Sequence, residues 1–115
     1  MSAESRDYVR TILDLYLGLP ETPGQVSRLD RQLALEWFKE KIPVPMIETA
    51  FLLASVRRLA RDQKVHRLGP IRSLHYFLPV LEEVRRAPTP LSYLAYLRRK
   101  VSAALAQTRK GEACW

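Results

Sequence analysis

Apolar side chains recur along most of the chain with the 3.6-residue period of an α-helix, and their spacing predicts five helices. The third, over 44–63, is apolar on almost its whole circumference, through Met46, Ile47, Ala50, Phe51, Leu52, Leu53, Ala54 and Val56. It leaves one narrow polar strip, formed by Glu48, Ser55 and Asp62. Only a helix surrounded by other elements keeps such a surface from water. We therefore expect this helix to lie at the centre of the fold.

The two predicted helices before it, over 6–17 and 28–41, each have a single apolar face. Ser27 is positioned to cap the second helix, and Asp30 lies in its first turn, where the helix dipole favours a negative charge. The residues expected to be buried are Val9, Ile12, Leu13 and Tyr16 in the first helix and Leu29, Leu33, Ala34 and Trp37 in the second.

Two more helices are predicted after the central one. Gly69 and Pro70 start the fourth, which runs to Arg86 and bends at Pro79, because proline has no N–H to donate. A fifth helix is capped by Thr89, opens with Pro90 and ends near Gln107. The expected inner residues are Ile71, Leu74, Phe77, Leu78, Leu81 and Val84, then Leu91, Leu94, Leu97, Val101, Ala104 and Leu105.

The pattern as a whole predicts an all-α protein, a compact bundle of about five helices around a buried central helix. Residues 1–108 are expected to form a single domain, since 115 residues suffice for one core and not for two. The tail 109–115 has no periodicity and is predicted to be disordered. Its Cys114 and Trp115 are alternatively a docking end.

Composition excludes several classes of protein. No apolar run approaches the roughly 18 residues of a membrane helix, and the first residues lack the apolar core of a signal peptide, so we expect a cytoplasmic protein without membrane contact. One cysteine and two separated histidines, His66 and His75, are too few for a structural zinc site. We expect no metal and no cofactor.

The net charge of +7 is unevenly distributed along the chain. Residues 1–50 hold six Lys/Arg and eight Asp/Glu, or −2, whereas residues 51–115 hold thirteen and four, or +9. Such an excess favours a polyanionic partner, although cations that merely solvate helix faces would produce it too. The candidate phosphate-binding cations at the end of the central helix are Arg57, Arg58, Arg61, Lys64 and Arg67.

The polar sides of the last two helices mix cations with tyrosines. The candidates there are Arg72, Tyr76, Tyr96, Arg99 and Lys100. Arginine and lysine bind phosphates, and an unpaired base can stack on an aromatic ring, so the mixture suits nucleic acid. The alternative is that each tyrosine is half-buried with its hydroxyl in water.

Catalysis finds little support in the sequence. Glu82 and Glu83 are adjacent, so on a helix they point about 100° apart and cannot act as a carboxylate pair. The four glycines are isolated, so no phosphate-binding loop is present. We expect a protein that is not an enzyme and has no small-molecule substrate. The second and third helices resemble a helix-turn-helix, but Met46, Ile47 and Phe51 make the third too apolar to enter a DNA groove.

Short motifs carry a family resemblance. Val44, Pro45, Ile47 and Ala50 match a V-P-x-x-I-x-x-A helix, and Pro90, Tyr93 and Leu94 match a later Pro-x-x-Tyr-Leu element. Over most of residues 27–101 the layout resembles the C-terminal module of DnaD-like primosome proteins and plasmid replication initiators, among small helical proteins encoded beside bacterial replication or mobile-element genes. The tryptophan that follows the tyrosine helix in the DnaD type is absent. The resemblance implies DNA-linked protein assembly.

The sequence thus predicts a nucleic-acid-binding accessory protein of replication or mobile-element processing, which contacts phosphates through its basic C-terminal half. DNA is favoured over RNA, and a protein partner is expected. Two alternatives stay open: a non-enzymatic protein-interaction adaptor, and a helical small subunit of an RNA-guided nucleoprotein complex.

Overall fold

The computed structural model describes residues 2–20, 22–60 and 71–113, with side chains up to residue 59 and from 71 to 104. Its elements are α1 (Ala3–Leu17), α2 (Arg28–Lys39), α3 (Val44–Ala60), a 3-10 helix (Leu74–Phe77), α4 (Leu78–Arg86) and α5 (Leu91–Ala113). The described residues include no strand. The all-α prediction is therefore confirmed.

Helix α3 is central, as its pattern predicts. It packs against α1, α4, α5 and the 3-10 helix, while α2 packs mainly on α1. Phe51, midway along α3, is buried, and its ring centroid lies 4.7 Å from that of Phe77 and 6.2 Å from that of Trp37. The polar strip differs from the prediction, because Ser55 is buried and donates to the Phe51 carbonyl at 2.9 Å. A serine that bonds its own helix backbone needs no water.

Helix α2 ends two residues before the predicted boundary. Lys41 adopts a left-handed conformation, with φ 60°, and its N–H donates to the Phe38 carbonyl at 3.0 Å. The next N–H, of Ile42, reaches back to the Trp37 carbonyl at 3.1 Å. These two bonds form the Schellman end of a helix, which glycine usually supplies. Residue 41 is lysine and not glycine, so the amino-acid pattern contained no signal for this end of α2.

The prediction of a continuous fourth helix from residue 70 was wrong. Ile71 to Ser73 are not helical, Leu74–Phe77 form the 3-10 helix, and α4 begins at Leu78. Pro79 therefore lies in the first turn of α4, where the missing N–H has no intrahelical acceptor to lose. Asp30 bonds the incoming chain, since one carboxylate oxygen accepts the Leu74 N–H at 3.0 Å and the other accepts the Ser27 N–H.

Most of the predicted core is buried. Met46, Leu53, Val56 and Ala104 are only half-buried, and three leucines are exposed. Leu29, Leu78 and Leu91 are exposed, and Leu91, the first residue of α5, is the most exposed of the three at 73%. Helix α5 starts one residue later than predicted and continues to Ala113, past the predicted end near Gln107. Gln63, Asp62, Gly69, Pro70, Cys114 and Trp115 lie outside the described residues, as does the Leu105 side chain.

Among the described helices, none combines the length and the apolar character that crossing a bilayer requires.

Candidate nucleic-acid interface

An open groove lies between α4 and α5. Both helices pack against α3 but make almost no backbone contact with each other, although only residues 87–90 separate them in sequence. The groove has a volume of about 610 Å³. Helix α3 contributes Leu53 and Arg57, α4 contributes Glu83 and Val84, and α5 contributes Ser92, Tyr93 and Tyr96. We call this the α4–α5 groove.

Arg57, predicted to bind phosphate, forms an ion pair inside the α4–α5 groove. Its two terminal nitrogens donate to the two carboxylate oxygens of Glu83 at 2.8 and 2.7 Å. The hydrogen bonds raise the pKa of Arg57 and lower that of Glu83. Arg57 therefore carries its charge next to a compensating carboxylate, a pairing that the sequence did not predict.

Three further arginines of the basic half are also paired with acids. Arg98 donates to both carboxylate oxygens of Glu48, and Arg85 lies 3.8 Å from a Glu40 oxygen. Arg86 lies 3.6 Å from Glu82, one turn earlier on α4. Glu40 and Glu48 belong to the acidic N-terminal half, so folding brings two of its carboxylates next to arginines of the basic half. Positive and negative charges are therefore less separated in the folded structure than they are along the sequence.

Within the part of the chain that the structure describes, Arg72, Arg99 and Lys100 have no carboxylate within 4 Å. Arg99 and Lys100 are exposed neighbours on α5, one turn beyond Tyr96. The Lys100 ammonium lies 5.9 Å from the centroid of the Tyr96 ring, within cation–π range. We call Tyr96, Arg99 and Lys100 the α5 basic face. Arg72 is exposed in the segment before the 3-10 helix, not on the helical face predicted for it.

Tyr76 lies in a second, separate cluster. Arg58 donates to its hydroxyl at 3.1 Å, and the guanidinium carbon lies 5.2 Å from the ring centroid. The Tyr76 ring also meets Phe77 edge-on, at 5.2 Å between centroids. Tyr76 and Tyr96 are exposed to similar degrees, 39% and 43%, so each is partly covered, and the alternative of half-buried tyrosines stays open.

The structure thus groups part of the predicted set. Arg57 and Tyr96 line one groove, Arg99 and Lys100 adjoin Tyr96, and Arg58 meets Tyr76. The predicted cations Arg61, Lys64 and Arg67 lie outside the described residues. Tyr93 was missed. Its ring is stacked with that of Tyr96, with centroids 6.0 Å apart and planes inclined by 21°. The i, i+3 spacing of the two tyrosines was the sequence signal for this contact.

Comparison with known proteins leaves the family open. The chain matches no family model, and no curated protein or solved structure matches it significantly. The resemblance to DnaD-like and plasmid-initiator modules stays a prediction.

Proposed function

We propose that this protein binds a polynucleotide through the α5 basic face, without catalysing a reaction. One observation carries the proposal. Among the described cations of the C-terminal half, Arg99 and Lys100 are adjacent, exposed and without a carboxylate within 4 Å, whereas Arg57, Arg85, Arg86 and Arg98 each have one.

Phosphates bind most readily to exposed cations that have no carboxylate beside them. A phosphate that meets Arg99 or Lys100 displaces only water and condensed counterions, whose release favours binding. At Arg57 or Arg98 a phosphate would first have to compete with a carboxylate that already accepts two hydrogen bonds. Tyr96 adds an exposed aromatic surface beside the two charges.

The cellular setting of the proposal comes from the resemblance described above. It favours DNA over RNA and an accessory role in replication or mobile-element processing, together with a protein partner. A cytoplasmic location is proposed on a different ground, since no apolar run in the sequence is long enough to span a membrane. Arg72 is a further exposed cation without a carboxylate within 4 Å among the described residues, and Arg61, Lys64 and Arg67 stay predicted phosphate-binding residues.

Salt-dependent binding tests the proposal. Fluorescence anisotropy with single-stranded DNA, duplex DNA and RNA at several salt concentrations measures affinity and the number of phosphate contacts. We expect the double variant Arg99→Ala, Lys100→Ala to flatten the slope of log affinity against log salt by about 1.4 to 1.8, since each lost contact removes about 0.7 to 0.9.

The matched control is the double variant Arg85→Ala, Arg86→Ala. It removes the same two charges, but from arginines that lie near Glu40 and Glu82. We expect it to leave the slope almost unchanged. Equal losses from both variants would instead indicate diffuse attraction of a basic protein to any polyanion.

A protein-interaction adaptor is the second candidate. The mainly apolar side chains of the α4–α5 groove and the exposed Leu91 support it. An apolar protein interface responds weakly to salt, so absence of oligonucleotide binding at physiological salt would favour this candidate.

A further inference from the structure

We propose that the α4–α5 groove receives an unpaired nucleobase from a single strand whose phosphates lie on the α5 basic face. The inference rests on the proposed function and adds the strandedness of the nucleic acid and the place where a base is held. Tyr96 connects the two surfaces, because it lines the groove and also lies beside Lys100.

The aromatic wall of the groove suits a base. Tyr93 and Tyr96 stand on successive turns of α5, with their rings inclined by only 21°, and both line the groove. Every base has a flat π-face that stacks on tyrosine. In a duplex that face is covered by the neighbouring base pairs, so only an unpaired base can use this wall.

The opposite side of the groove offers hydrogen bonds. Arg57 and Glu83 bind each other through two hydrogen bonds, which places polar atoms in an otherwise mainly apolar groove. A guanidinium has five N–H donors and a carboxylate about four acceptor positions, so both retain capacity after pairing. The edge of a base presents donors and acceptors of the same kind.

Size and charge agree with this occupant. About 610 Å³ falls within the roughly 300–1,000 Å³ of small-molecule sites, so the groove has room for a base. Arg99 and Lys100 follow Tyr96 at i+3 and i+4, so they share its side of α5 and can hold the phosphates that flank the base. An amphipathic protein helix could fill the apolar groove, but it would need acidic residues placed against these two charges, whereas a polynucleotide has a phosphate at every nucleotide.

Substitution of Tyr96 tests the inference. The probes are a single strand of about 12 nucleotides with one central 2-aminopurine, within the ~4–16 nucleotides that single-strand sites cover, and a duplex of the same length. Binding should change the 2-aminopurine fluorescence of the single strand. Tyr96→Ala should abolish that change and weaken single-strand binding about 5- to 150-fold, while duplex binding and the salt slope remain.

Two control variants separate stacking from folding. Tyr96→Phe keeps the ring and should retain most of the single-strand affinity. Leu91→Ala shortens another exposed side chain of α5 that does not line the groove, and it should have no effect. Thermal unfolding of each variant, followed by circular dichroism, verifies that the helices remain.

The possible outcomes distinguish this inference from the proposed function. If Arg99→Ala, Lys100→Ala flattens the salt slope but the 2-aminopurine fluorescence never changes, the α5 basic face stands and the groove inference is overturned. Equal weakening of single-strand and duplex binding by Tyr96→Ala also overturns it. If no oligonucleotide binds, both proposals fail, and a protein helix becomes the better occupant of the groove.

Discussion

At the scale of single side chains, the half-buried Tyr8 and the buried Tyr16 differ in the hydrogen bonding of their hydroxyls. The Tyr8 hydroxyl donates to the Ile42 carbonyl at 2.7 Å and so ties α1 to the turn after α2. The Tyr16 hydroxyl is buried and has no hydrogen-bond partner among the described residues. Burial raises the pKa of each to about 12, with smaller contributions from Glu40 at Tyr8 and Asp30 at Tyr16.

Removing the two hydroxyls should therefore have different effects on stability. Tyr8→Phe should cost about 0.5–1.5 kcal/mol, the net value of one hydrogen bond. Tyr16→Phe should cost nothing or stabilise, because it removes a polar group that is buried without a partner. Urea unfolding of both variants measures the difference. A loss at Tyr16 as large as that at Tyr8 would mean that its hydroxyl has a partner.

The raised pKa values also predict a pH dependence. The folded protein holds each tyrosine proton more tightly than the unfolded chain, whose tyrosines ionise near pH 10. The stabilisation is fully present below pH 10 and is lost as the pH rises towards 12. Urea unfolding at intervals across this window should show a smaller loss for Tyr8→Phe than for the unchanged protein.

At the scale of single elements, the predicted changes in stability concern residues at the ends of helices. Helix α2 ends in a Schellman motif whose left-handed position holds Lys41 rather than glycine. Lysine in that conformation is strained by contact between its Cβ and the backbone, and glycine is not.

Lys41→Gly should therefore stabilise the protein by about 1 kcal/mol, since the left-handed conformation costs an ordinary residue roughly 1–2 kcal/mol and the added chain freedom of glycine offsets part of the gain. Thermal unfolding provides the measurement. Lys39→Gly is the control, because Lys39 lies within α2, where glycine costs up to about 1 kcal/mol. Destabilisation by Lys41→Gly would contradict the assigned end of α2.

Asp30 joins two elements, since it completes the capping box of α2 and also accepts the Leu74 N–H at the start of the 3-10 helix. Asp30→Ala should cost about 1.5–5 kcal/mol, the sum of a lost capping contact and a buried N–H without an acceptor. Ser27→Ala removes only the cap and should cost about 0.5–2 kcal/mol. Hydrogen exchange at the Leu74 amide should accelerate in Asp30→Ala alone.

At the scale of the whole molecule, tertiary ion pairs redistribute the charge. Arg57 pairs with Glu83, and Arg98 pairs with Glu48, across separations of 26 and 50 residues. These pairs leave Arg99 and Lys100 as the uncompensated neighbours on which the proposed function rests. Cations that look equivalent in the sequence therefore differ in the folded protein, because only some of them have a carboxylate partner.

Releasing a paired arginine should add a phosphate contact. We expect Glu83→Gln to steepen the salt slope of oligonucleotide binding by up to about 0.9, because Arg57 is then available to a phosphate. Glu36→Gln makes the same change in net charge at an exposed residue of α2 that has no cation within 4 Å among the described residues, and it should leave the slope unchanged. Identical slopes for both variants would count against a role for the pairing.

The sequence by itself determined the helical class, the centrality of α3 and the inner faces of the helices. A helix of known period places apolar residues on one side wherever it packs, so Val9, Ile12, Phe51 and Leu97 could be assigned to the core from spacing alone. Leu29 and Leu91 departed from this rule because a face is buried only where a neighbouring element covers it.

Only the tertiary structure decided the candidate site. The α4–α5 groove exists because two consecutive helices pack on α3 and hardly on each other, and its Arg57–Glu83 pair forms because α4 brings Glu83 beside α3. The start of the 3-10 helix likewise depends on Asp30, which is 44 residues away in sequence from the Leu74 amide that it binds. Periodicity describes one helix at a time, whereas these contacts depend on the relative positions and angles of several helices.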